Sequence, residues 1–198
     1  MAPGLDVTVE TVCRCCNHGW MGTLEDKASQ VLTPMIQSGQ ETSLYAARRS
    51  LLAVWATKTA MMFEQVHPDN AGIPPEHYGE LYRDHTRPPQ HTVVWMGRYD
   101  PSDTSLRYKF VPLHSPDSVY RPGRGEAYGS SFTVGQVCFL VFGHPVHEQV
   151  AVEYQELGIV RIYPVHRGVD VTWPPEAHLS FFGFASLADS FGVRSSDG

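Results

Sequence analysis

The chain has 198 residues, of which 42% are hydrophobic and 18% charged, and a formal net charge of −6. That length suits one compact unit with a substantial core. No run approaches the ~20 apolar residues of a membrane helix, and Met1-Ala2-Pro3-Gly4-Leu5-Asp6 lacks the basic and apolar regions of a secretory leader. A cytoplasmic protein without membrane attachment is therefore expected. The acidic balance argues against a surface-wide nucleic-acid face, which needs clustered Lys and Arg. It leaves room for one local basic groove, so nucleic acid stays a candidate partner. Basic character comes from twelve arginines and only three lysines, Lys27, Lys58 and Lys109.

In chain order, residues 5–12 alternate, with Leu5, Val7 and Val9 on one side, and read as a short strand entering a cysteine turn. Three of the four cysteines, Cys13, Cys15 and Cys16, fall within that turn; the fourth is Cys138. Such crowding favours metal binding or free thiols over a disulfide framework. From Trp20 to about Gln37, Trp20, Leu24, Ala28 and Met35 recur at helical spacing. Pro34 is expected to kink or end this helix early, and Gly39 is a natural stop. A second helix is predicted from Thr42 or Ser43 to about Val66. A third begins at Pro74-Pro75, with proline in the first turn, and ends before Arg87-Pro88-Pro89.

Beyond Gln90 the character changes to strands, predicted at 92–99, 106–112, 128–134, 136–142, 149–155 and 158–163, with Gly135 marking a tight turn or bulge. A short helix is expected around Ser186–Asp189. The order is α+β: an N-terminal cysteine turn and helices, then an antiparallel sheet. The segments are 1–40 (cysteine knuckle and helix), 41–90 (helical) and 91–198 (β-rich), together forming one unit.

Cys13-Arg14-Cys15-Cys16-Asn17-His18-Gly19-Trp20-Met21 is the most informative stretch. A Cys-x-x-Cys pair can put two sulfurs on one side, as a tetrahedral zinc requires, but it supplies half of a structural site. Cys13 and Cys16 are the candidate ligands; Cys15, His18 and Asn17 are adjacent alternatives. Distal completion would fall to Cys138, His144 and His147, although a thiol mid-strand is more simply a small buried hydrophobe. Arg121 and Arg124, in the Pro/Gly-rich loop 115–125, are candidates for phosphate contact. Glu76, Glu80, Asp84 and His85 form an acidic helix face. Lys58 on an apolar helix has two readings, a buried functional lysine and, the simpler one, a snorkelling surface lysine.

Val12-Cys13-Arg14-x-Cys16-Asn17-x-Gly19-Trp20-Met21-x-x-Leu24-Glu25 resembles the second half of the signature of HNH-endonuclease-like proteins of actinobacteria and their phages. Leu52-Ala53-x-Trp55-Ala56-x-Lys58-Thr59-Ala60-Met61 is similar to their second helix; Val134-Gly135 and Trp173-Pro174-Pro175 are similar to their C-terminal region. The first stretch is the specific one. The resemblance implies a zinc held by these cysteines with an upstream pair, and an upstream histidine that activates water. The twelve residues before Cys13 contain neither histidine nor cysteine. The catalytic residue is therefore unknown. The expected function is an HNH-derived binding or regulatory protein of phage or mobile-element origin, with structural zinc and a protein partner. The alternative is a nuclease using a divalent metal, completed by a partner subunit or further N-terminal sequence. A metal-free structural domain is the third reading.

Overall fold

The computed structural model describes residues 12–66, 72–99, 107–113, 127–144, 158–166, 170–180 and 183–184. The predicted strand at 149–155, the C-terminal helix, most of the strand at 5–12, Arg121, Arg124 and His147 lie outside them.

The chain starts with one helical turn, α1 (Arg14–Cys16), and a wider π-type turn, Asn17–Met21, kinked at Gly19 (φ −91°, ψ −115°). Helix α2 (Gly22–Ser38) follows. It buries Leu24, Ala28, Leu32 and Met35, one stripe at spacings of three and four. Pro34 does not end it. The bond forfeited there, to the carbonyl of Gln30, falls at an exposed residue. The helix stops at Gly39, whose left-handed φ of 63° lets its N–H and that of Gln40 return to the Met35 and Pro34 carbonyls.

The second predicted helix begins later than its periodicity suggested. Thr42–Leu44 is a strand, β1, paired antiparallel with Val171–Trp173, β7. Helix α3 (Ala46–Glu64) starts after Tyr45 and is buried along most of its length. Trp55 packs on Phe132 and Phe139 of the sheet at centroid distances of 5.9 and 5.4 Å, and Phe63 stacks on Tyr108 at 4.5 Å. Helix α4 (Pro75–Arg83) buries only His77 and Leu81.

The main sheet comprises β2 (Thr92–Tyr99), β3 (Tyr108–Leu113), β4 (Ala127–Val134), β5 (Val137–Gly143) and β6 (Ile159–Tyr163) in the order β3-β4-β5-β2-β6. All these pairings are antiparallel; the two-residue β8 (His178–Leu179) adds parallel to the end of β2. Gly135, at φ 57°, makes the two-residue turn between β4 and β5. Period-two alternation sends Val94, Met96, Tyr128, Phe132, Phe139 and Val141 to the helical side, where they share one core with α2, α3 and α4. Trp95, Cys138, Leu140 and Phe142 face the other way, towards Leu179 and Phe184. The fold is thus α+β, with helices on one face of an antiparallel sheet. Among the described residues, no helix is long and apolar enough to cross a membrane.

A candidate thiol site beside an apolar cavity

Cys13 caps α1 with an extended backbone (φ −63°, ψ 148°), so its side chain turns back over the turn it begins. The Cys16 backbone N–H donates to the Cys13 sulfur at 3.3 Å, and the Asn17 N–H donates to the Cys13 carbonyl at 3.0 Å. The cysteines therefore open a helical turn. Cys13 is exposed and Cys16 half-buried. The Cys16 backbone N–H, followed by the Cys16 thiol, holds the Cys13 thiol below its ordinary pKa. That same thiol hydrogen bond, with Cys16 as donor, holds Cys16 above it. The two thiols therefore titrate as a pair.

Cys13 and Cys16 both line a cavity of about 510 Å³. Trp20, Met61, Met62, Tyr78, Leu81 and Tyr82 give it an apolar wall. Trp20 stacks on His85 at 4.4 Å, with the rings 11° from parallel. The indole N–H of Trp20 is buried beside the Cys16 thiol, where it works against the rise in that thiol's pKa.

Lys58 also reaches this cavity, which corrects its reading as a surface lysine: it is 9% exposed. Its ammonium donates to one oxygen of Glu25 in a short ion pair, and the other Glu25 oxygen accepts the Trp55 indole N–H at 2.6 Å. Burial of a cation on a packed helix is tolerable only with such a partner. The Lys58–Glu25–Trp55 cluster joins α2 to α3. Sequence reasoning missed it, although its members lie within the two stretches that carried the resemblance.

The other candidates are dispersed. Cys15 is exposed and does not line the cavity. Asn17 is exposed, and His18 is exposed with Nδ1 against the Arg14 carbonyl at 3.2 Å. Cys138 is 1% exposed on the opposite face of the sheet, where burial pushes its thiol up to about 12. It packs as a small hydrophobe, on the face away from the helices; His144 follows β5 and stacks on Phe142 at 6.3 Å. On α4 the acidic side chains serve local structure: Glu80 accepts the Gln90 N–H, and Asp84 binds Thr86 and Arg87. Among the described residues, no group of three His, Cys, Asp or Glu side chains is arranged to hold a metal ion. The turn offers two soft donors and unequal thiols beside an apolar hollow. No histidine is among the described residues lining the cavity; His18 Nδ1 meets the Arg14 carbonyl, and His85 stacks on Trp20 with its Nδ1 at the Leu81 carbonyl.

Comparison with protein-family models, characterised proteins and solved structures finds no match to this chain.

Proposed function

We propose that this chain is an HNH-derived binding or regulatory protein, and that Cys13 and Cys16 supply half of a structural zinc site. Two further donors come from a protein partner or from chain outside the described residues. The observation that carries the reading is the paired geometry of the turn: Cys13 and Cys16 line one cavity, and the Cys16 backbone N–H donates to the Cys13 sulfur at 3.3 Å. Thiolates are the ligands zinc prefers in closed structural sites, and a backbone N–H on a ligating sulfur orients it as an outer-shell partner does. The donor set fits half of such a site, so affinity in the isolated chain is modest.

The non-catalytic part rests on proton transfer. Activating water for phosphodiester hydrolysis needs a base within hydrogen-bond reach, and no histidine is among the described residues that line the cavity beside Cys13 and Cys16. Elemental analysis of the purified full chain, with and without Cys13→Ser/Cys16→Ser, tests the metal. Supercoiled plasmid incubated with Mg²⁺, Mn²⁺ or Zn²⁺ tests the chemistry. Zinc that depends on both cysteines, with intact plasmid, is the expected result. Nicking that survives purification and scales with the protein would replace this reading with the nuclease, and no zinc in either protein would favour the metal-free domain.

A further inference from the structure

We propose that Cys13 and Cys16 are also a redox-active dithiol, which a low-molecular-weight disulfide converts into an intramolecular disulfide. This uses only the two sulfurs and holds whether or not the turn takes a metal. Cys13 is exposed and open to attack from solvent, whereas Cys16 is half-buried against the cavity. Residues three apart on a helical turn stand roughly 5–6 Å apart at Cβ, and a disulfide draws them to about 3.5–4.5 Å. The extended backbone of Cys13 supplies that approach, because it already carries the sulfur to 3.3 Å from the Cys16 nitrogen. Cys15, two residues from Cys13, points elsewhere and does not border the cavity.

The exchange balances without a further co-reactant. The Cys13 thiolate attacks one sulfur of the small disulfide, forming a mixed disulfide and expelling one thiolate, which takes up the proton Cys13 has released. Cys16 then loses its proton and attacks the Cys13 sulfur, expelling the second thiolate, which takes up that proton. One small disulfide is reduced to two thiols, and the Cys13–Cys16 pair is oxidised by two electrons.

The test uses the full chain, stripped of metal by a chelator and equilibrated with glutathione and glutathione disulfide over a wide range of ratios. Free thiols are trapped by alkylation and mapped by mass spectrometry. The expected product has Cys13 and Cys16 joined to each other, a loss of two hydrogens, with Cys15 outside that bond whether free or carrying glutathione. Cys16→Ser should stop with Cys13 held as its glutathione mixed disulfide. A bond that includes Cys15, a mixed disulfide persisting on Cys13 or Cys16 in the unsubstituted chain, or no Cys13–Cys16 bond even in pure glutathione disulfide would overturn the proposal. Mapping the unsubstituted chain decides the matter even if a variant fails to fold. Zinc content is a separate measurement, so failure here leaves the metal reading standing, and the reverse.

Discussion

Replacing Glu25 with alanine removes two partners at once: the Lys58 ammonium and the Trp55 indole N–H. Breaking a fully buried ion pair from one side costs about 3–5 kcal/mol. Here the Glu25 side chain is 48% exposed and that of Lys58 11%. Water can reach the site from the Glu25 side and along the cavity, so screening lowers that figure. The orphaned indole adds roughly 1 kcal/mol or more. Together these give about 2–3 kcal/mol for Glu25→Ala. Lys58→Met should cost less than about 1 kcal/mol, because a thioether suits a wall already built from Met61 and Met62. In Glu25→Ala/Lys58→Met no buried cation remains, so the double variant should recover about 1–2 kcal/mol relative to the sum of the singles. Urea unfolding with matched m-values measures the cycle. Additivity within about 0.5 kcal/mol would refute the argument that Glu25 is there to neutralise Lys58.

Glu64 is 2% exposed and accepts the N–H groups of Gly72 and Ile73, at 2.5 and 2.6 Å, and the Tyr78 hydroxyl. Glu64→Ala should cost about 3 kcal/mol and collapse amide hydrogen-exchange protection at Gly72 and Ile73. At the hairpin, a Cβ on Gly135 would lie 2.6 Å from Ile36 Cγ2, whereas one on Gly39 meets only the flexible Gln136 side chain, at 3.2 Å. Both glycines have positive φ, so Gly39→Ala should cost about 1 kcal/mol and Gly135→Ala about 2 kcal/mol or more, read from thermal unfolding. His77 is buried against Tyr128, and burial lowers its pKa. Its contribution is therefore fully present above the unfolded value of about 6.5 and is lost as pH falls through the depressed folded value. Stability should drop with acidification below about pH 6.5, and His77→Phe should flatten that slope in urea titrations at successive pH values.

Local rules made much of this fold legible. The run Thr92–Tyr99 reads as a strand from its β-branched and aromatic content and the turn residues that bound it, and is one. Gly39 and Gly135 announce positive φ, and Pro74-Pro75 opens α4. What stayed hidden depends on partners remote in the chain. Thr42–Leu44 continues the helical pattern of α3, but Val171–Trp173 claims it for a two-stranded sheet. Pro34 carries a breaker's penalty that α2 absorbs through Leu32 and Met35, both packed in the core. At the site, the nearness of Cys13 and Cys16 follows from their spacing. The burial of Lys58 does not: Glu25 lies 33 residues earlier, and nothing local to α3 reveals a partner for that ammonium. His77 is likewise invisible as a core residue, since its α4 neighbours Glu76 and Glu80 read as a solvated face.

Cobalt substitution of the full chain tests the central claim most directly, because sulfur-to-cobalt charge transfer in the near ultraviolet counts the thiolates bound. Two thiolates are expected, abolished together by Cys13→Ser/Cys16→Ser and untouched by Cys15→Ser. No charge-transfer band with any added cobalt, or a band that follows Cys15 or Cys138 instead, would contradict the account.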